Sequence, residues 1–471
     1  MTELPAADRL ARPGDDAVPL RLVPKARLEE ALSALTPAQR RWAEAQGFAG
    51  QLGRSVVLPA EDGGIAAALF GWGDAESRSR SRFHLGRFAE TAPAGSYSLD
   101  AALAELGAED LEEAALGWLL SRLRWTRYKA QSLPEARLVG PAGVDAERVH
   151  RIADAVALTR ALVETPAADL GPAEIEAAAR SLADAHGAEV ETVTGAALAE
   201  GYPMIEAVGR AAAPGREPRL ISLSWGPEDA PRITLVGKGV AFDTGGLGLK
   251  PAAAMALMKK DMGGAAQVLG LARAVMAEGL AVRLSVLIPA VENAVSAASF
   301  RPGDILRSRK GLTVEVNHTD AEGRLVLADA LARADEDAPD LLLCFATLTG
   351  AARVALGPEL APLYTDDEPL AAAMLEAARR VRDPLWRMPL WPGYEELIEP
   401  RLADLDNAPT GGMAGSITAA LFLRRFVEQA RAFAHLDVYA WTPKARPGRP
   451  QGGEAQGLRA AFEVIAARAG G

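Results

Sequence analysis

The stretch Asn317-His318-Thr319-Asp320-Ala321-Glu322-Gly323-Arg324-Leu325 sets two carboxylates and a guanidinium side by side, just after an alternating apolar run (Leu312, Val314, Val316). A strand that ends in an acidic turn and opens a helix (Leu325, Leu327, Leu331) is suited to hold a cation. A second cluster lies upstream at Lys238, Asp243, Lys250 and Asp261. Together the clusters hold four carboxylates and three cationic side chains. Four converging carboxylates without a cation would repel, and at least one pKa would have to rise. Two divalent ions would offset that charge, so the inventory points to a two-metal hydrolase. Hard oxygen ligands suit manganese or magnesium, and zinc tolerates carboxylates too.

Simpler readings exist for each position alone. Asp261 at the start of a helical pattern reads as an N-terminal cap favoured by the helix dipole. Thr319-Asp320-Ala321-Glu322 fits a capping box ahead of an apolar run. Asp243 with Lys250 reads as a loop salt bridge. Other chemistries lack their residues. None of the five histidines (His84, His150, His186, His318, His435) forms HExxH, and no G-x-S-x-G elbow occurs. The run Gly245-Gly246-Leu247-Gly248-Leu249-Lys250 has neither P-loop nor dinucleotide spacing.

The elements that must position these residues are legible in outline. Strands are predicted at 219–224, 232–237, 282–288, 312–316, 340–346 and 433–439, and helices at 173–186, 261–277, 323–336, 368–380 and 415–430. This alternation predicts an α/β domain with a largely parallel, helix-covered sheet, whose ligands bind beyond the carboxyl ends of its strands. A smaller α/β unit is expected over 1–145, with an amphipathic helix from Leu111 to Tyr128. Pro134, Gly140, Pro141 and Gly143 mark 133–145 as a connecting stretch, a linker helix follows over 146–165, and the catalytic domain spans 166–471.

The 471 residues are 49% apolar and 24% charged, enough for a sizeable core. A net charge of −11 argues against a general nucleic-acid or anionic-membrane surface, and the pairs Arg379-Arg380 and Arg424-Arg425 read as solvated helix faces. Met1 to Leu20 lacks the basic and apolar regions of a signal peptide, and no apolar run is long enough to span a bilayer. A cytoplasmic location is expected. The single cysteine, Cys344, excludes an internal disulfide and reads as a buried strand thiol.

Longer motifs carry a resemblance. Val236-Gly237-Lys238-Gly239, Phe242-Asp243-Thr244-Gly245-Gly246, Lys250-Pro251, Lys259 with Asp261-Met262, and Thr319 through Leu325 closely resemble the leucyl aminopeptidase (cytosol aminopeptidase) family. Phe345 through Ala351, Gly415 through Ala419, and Ala434-His435-Leu436-Asp437 match it too. The match is continuous in order from about 232 to 441. Before 230 it is thin: Gly117 through Leu120, Tyr128-Lys129, and Leu162 through Ala167.

The resemblance implies two-metal removal of the N-terminal residue, leucine and other mostly apolar ones, from peptides. One metal would be held by Lys238, Asp243, Asp261 and Glu322, the other by Asp243, Asp320 and Glu322, with Mn2+ or Zn2+ as the ions. Lys238 would have to ligate as the neutral amine. Lys250 would polarise the scissile carbonyl, and Arg324 would hold a bicarbonate acting as general base. Thr347, Leu348 and Gly350 would line the substrate, and Met258 would contact its first side chain. A homo-hexamer is implied as well. Rival readings are a narrower dipeptidase, such as one acting on Cys-Gly, and a DNA-binding or regulatory member. Two positions depart from the family: His318 and Glu164 each stand where it has asparagine. His318 could retune pH dependence, contact the leaving residue or preserve a hydrogen bond, whereas Glu164 reads as a matter of domain packing.

Overall fold

The computed structural model describes residues 5–12, 14 and 16–470. Two compact units emerge, residues 6–157 with 444–451, and residues 158–443 with 452 onward. The division falls within the helix Ala146–Glu164.

The smaller unit is built on five strands, β1 (Val18–Pro24), β2 (Ser55–Pro59), β3 (Ile65–Gly73), β4 (Gly95–Asp100) and β5 (Ala136–Leu138). Their order is β2-β3-β1-β4-β5, parallel except for the β2–β3 pair. Phe70, Phe88, Tyr97 and Trp118 form its aromatic core, with the Phe88 and Tyr97 rings meeting edge to face at 5.2 Å. β5 corrects the sequence reading of 133–145 as a bare connection. Three residues between prolines and glycines are too short for an alternation to register, and their pairing with β4 is a tertiary fact. The helix expected over 111–128 runs from Ala108 to Arg122.

The larger unit carries β6 (Glu189–Thr194), β7 (Arg219–Trp225), β8 (Arg232–Gly237), β9 (Gly239–Asp243), β10 (Arg283–Asn293), β11 (Ile305–Arg307), β12 (Thr313–Glu315), β13 (Leu341–Ala346), β14 (Ala361–Tyr364), β15 (Leu385–Met388), β16 (Leu405–Asp406) and β17 (Phe433–Asp437). Its main sheet has nine strands in the order β15-β14-β17-β13-β8-β10-β7-β6, with β9 paired to β10. The centre, β17-β13-β8-β10, is parallel, and β7 and β6 close one side antiparallel. β13 reads Leu-Leu-Leu-Cys-Phe-Ala and is buried throughout, as a strand covered on both faces must be. Cys344 is the buried thiol expected.

Two helices bring side chains to the strand ends. Gly263–Glu278 begins immediately beyond β8, and a Cβ at Gly264 would collide with the Phe345 carbonyl and stand 2.6 Å from Lys238 N. Glu322–Glu336 begins so close to the same strand that a Cβ at Gly323 would lie 2.7 Å from Lys238 Nζ. Glycine at these positions lets both helices abut the end of β8. The helix expected over 415–430 stops at Arg424, and Asp335 accepts the backbone N–H groups of Glu428, Gln429 and Ala430 in the turn beyond it. Among the described residues, no helix is long and apolar enough to cross a membrane.

Candidate active site

The parallel strands end together at one place. β8 delivers Lys238, β9 ends on Asp243, β10 on Asn293 and β17 on Asp437, while Thr347 follows β13. Asp320 and Glu322 arrive from the turn after β12. Every site residue inferred from sequence, from Lys238 to Gly350, lines a single cavity of about 810 Å³ in the larger unit. This is where an open parallel sheet places its ligands.

The loop after β9 turns back through Gly245 and Gly246, whose φ values of +88° and +62° are left-handed. Gly245 N–H donates to Asp243 Oδ1 at 2.8 Å. Thr319 then ties this loop to the second acidic cluster, its hydroxyl donating to the Gly245 carbonyl at 2.6 Å and accepting from Gly248 N–H at 2.8 Å. Thr319 is therefore no helix cap. The helix starts at Glu322 with Ala321 before it and no side-chain cap, which overturns the capping-box reading. Asp261 is no cap either. It lies in a short 3-10 turn, Met258–Met262, ahead of the helix. Its carboxylate faces Lys238 Nζ at 2.8 Å and accepts from the Thr347 hydroxyl at 2.8 Å.

Lys238 Nζ also stands 2.9 Å from Glu322 Oε1. Lys250 Nζ lies 2.8 Å from Asp243 Oδ2 and pairs with Asp320. One ligand atom from each of Asp243, Asp320 and Glu322 can be chosen so that all lie within 4.8 Å of one another. Glu322 is 1% exposed; its Oε1 has only the Lys238 ammonium beside it, and its Oε2 has no hydrogen-bond partner. Asp261 Oδ2 and Asp320 Oδ1 likewise have only the Lys238 and Lys250 ammonium groups beside them. Burial and the nearby Asp243 push Glu322 up to about 8. Burial and Asp261 push Asp243 up to about 6. Buried carboxylates this close, with unspent lone pairs, are donors awaiting positive charge beyond what two lysines supply. The residues therefore fit divalent cations. Burial alone would lower Lys238, but Asp261, Glu322 and Asp243 together hold it well above the usual ammonium range.

Arg324 is buried, and its guanidinium donates to the Asn407 carbonyl. Burial brings it down to about 10 against the pull of Asp437 and Asp406. Three positioning residues escaped the sequence reading. Asn293 donates to Asp243 Oδ1 at 2.8 Å and to the Thr319 carbonyl at 3.1 Å. Asp437 accepts from Leu348 N–H at 2.9 Å and from the Thr349 hydroxyl at 2.7 Å. Asn407 accepts from the backbone N–H groups of Asn317 and His318 and returns a bond to the His318 carbonyl. Asp437 sat inside a recognised motif and was within reach; Asn293 and Asn407 carried no local signal. The exposed His318 ring accepts Asp320 N–H at Nδ1, which keeps a hydrogen bond at the turn. Glu164 is held inside the larger unit, its carboxylate 3.0 Å from Lys259 Nζ and accepting Gly453 N–H at 3.2 Å.

Comparison with known proteins shows the family of the chain. Residues 157–462 match the catalytic domain of the cytosol aminopeptidase family, and residues 18–141 match the M17 aminopeptidase N-terminal domain. The chain belongs to the cytosol aminopeptidase family. A probable cytosol aminopeptidase of Geobacter sp. (strain M21) is 36% identical over 465 residues, covering 93% of each chain. The crystal structure of the cytosol aminopeptidase from Coxiella burnetii superposes with a TM-score of 0.91 at 42% identity, covering 96% of this chain and 97% of that one. The bottromycin maturation enzyme BotP in complex with Mn gives a TM-score of 0.86 at 33% identity, covering 97% and 100%. As a cytosol aminopeptidase family member the chain is a metallo-aminopeptidase, a hydrolase acting on peptides.

Proposed function

We propose that this chain removes the N-terminal residue of peptides with two divalent ions, Mn2+ or Zn2+, held at the ends of β8 and β9. Lys238, Asp243, Asp261 and Glu322 would hold one ion, and Asp243, Asp320 and Glu322 the other, with Asp243 and Glu322 shared. The observation that carries this reading is the buried Glu322, paired only through Oε1 with Lys238 and with no partner at Oε2, in the midst of three further carboxylates. When bound, such ions supply a water of lowered pKa and polarise the scissile carbonyl. The BotP structure with Mn favours manganese among the candidates.

The chain's own residues supply the rest. Lys238 would hold its ion as the neutral amine, so its ammonium proton would have to leave on loading. Lys250, freed from Asp243 and Asp320, presents its ammonium to the oxyanion that forms on the carbonyl. Arg324 would hold a bicarbonate through a planar fork that lysine cannot reproduce, and the bound anion would supply a general base. Thr347, Leu348 and Gly350 border the substrate, and Met258 offers a polarisable surface to its first side chain, leucine and other apolar residues being accepted. Within this reading residues 1–145 form the accessory unit, 146–165 the linker helix and 166–471 the catalytic domain. The protein works as a cytoplasmic homo-hexamer.

The test is release of the first residue from unblocked and N-acetylated dipeptides and tripeptides by metal-stripped protein resupplied with manganese or zinc. Cleavage of the unblocked peptides alone, dependent on metal and lost in Lys250→Ala, is the expected result. Equal cleavage of acetylated peptides, or no turnover with either ion, would overturn it.

A further inference from the structure

Lys260 has no role in the chemistry above, yet it lines the same cavity. The residue is 6% exposed and sits in the 3-10 turn between Met258 and Asp261. Among the described residues its side chain has neither an ion pair nor a hydrogen bond. What it does face is the ring of Tyr439, 4.8 Å from Nζ to the ring centre. The Arg353 guanidinium stands over the same ring at 5.4 Å, and both Arg353 and Tyr439 line the cavity.

The nearby carboxylates are committed elsewhere. Asp437 is occupied by Leu348 and Thr349, and Asp261 by Lys238 and Thr347. A neutral aromatic face offsets only part of the cost of holding an ammonium out of water. The wall next to Met258 therefore carries two basic side chains without an ion pair among the described residues, the buried Lys260 and the exposed Arg353.

We propose that this wall receives an acidic side chain on the first residue of the substrate, with Lys260 and Arg353 supplying its counter-charge. The inference rests on the aminopeptidase reading and refines it. Apolar first residues pack on Met258, while glutamate or aspartate gains a charge-assisted contact that glutamine or asparagine of the same shape does not. A free carboxylate at the far end of a short peptide is the competing anion. Lys260 and Met258 share one short turn, which favours the first side chain.

The test uses metal-loaded full-length protein and tripeptides amidated at the C-terminus, with Glu, Gln or Leu first and no other carboxylate. The Glu peptide is expected to be cleaved with a kcat/KM about ten- to a hundredfold above that of the Gln peptide, the size of a hydrogen bond to a charged group. In Lys260→Met the Glu-to-Gln ratio should fall towards one, and Lys260→Arg should retain it. A ratio near one in the unaltered protein, or one unchanged by Lys260→Met, would overturn the proposal. So would a charge preference that appears only when the C-terminal carboxylate is free. Calorimetric binding of the Glu and Gln peptides to metal-loaded Lys250→Ala protein, in which cleavage is lost, reads the same ratio without turnover. It decides the matter if Lys260→Met does not fold. Failure to cleave all three peptides would count against the aminopeptidase reading, whereas Leu cleavage with equal Glu and Gln would count against this inference alone.

Discussion

Asn293 donates its side-chain amide to Asp243 Oδ1 at 2.8 Å, joining the end of β10 to the end of β9 inside the site. The same amide reaches the Thr319 carbonyl, so one side chain aligns both acidic clusters. Outer partners of this kind hold a ligand at its working angle. Asn293→Ala should weaken divalent-ion affinity about 10- to 100-fold. Titration of the metal-stripped variant with manganese, followed by calorimetry, checks this; affinity equal to that of the unaltered protein would remove Asn293 from the site.

The ion-free protein should lose stability as pH rises. Burial holds Glu322 at about 8 and Asp243 at about 6, both above the usual carboxylate range. The folded protein keeps protons there that the unfolded chain releases near pH 4. The stabilisation is therefore whole below about pH 4 and disappears as pH climbs through 6 and then 8. Bound cations remove the need for those protons. Thermal unfolding with chelator should thus show a falling Tm from pH 5 to 8, and manganese should raise Tm more at pH 8 than at pH 5.

Asp437 fixes the strip Leu348–Thr349 by accepting both backbone N–H groups and the Thr349 hydroxyl. Asp437→Ala leaves these donors without their acceptor and lets the strip move. The expected result is a KM raised about tenfold, with a smaller effect on kcat, because substrate placement suffers before chemistry does. An unchanged KM would show that the strip is held by other contacts.

His318→Asn retains a side-chain acceptor for Asp320 N–H, whereas His318→Leu does not. Activity should survive the first change and fall in the second. Equal loss in both would mean that the imidazole itself meets the substrate.

Asp329 lies in the helix Glu322–Glu336, away from the chemistry, and accepts the N–H groups of Met204, Ile205 and Arg309. Burial raises it to about 7 even though these donors pull the other way. Asp329→Ala would strand buried donors and should cost about 3 kcal/mol, read as a lower midpoint in urea unfolding. Catalysis by the folded fraction should be unchanged.

Family, fold class and the acidic inventory were legible in the chain itself. β8 and β13 are apolar runs bounded by turn residues, and Asp243, Asp261, Asp320 and Glu322 sit at the elements' edges, where patterning breaks off. Local rules nonetheless misread two of those edges. Thr319 and Asp261 have the right type and spacing for helix caps, but each spends its side chain on a partner distant in sequence, Gly245 in one case and Lys238 in the other. β5 escaped because three residues carry no period. What only the tertiary structure decided was convergence: Asn293 beside Asp243, Asn407 beneath the His318 turn, and Lys260 with Arg353 over one ring. Sequence periodicity reports which face of an element is apolar. It carries no information about which side chains meet when separate strands end at the same point, and burial and pKa arise from that meeting.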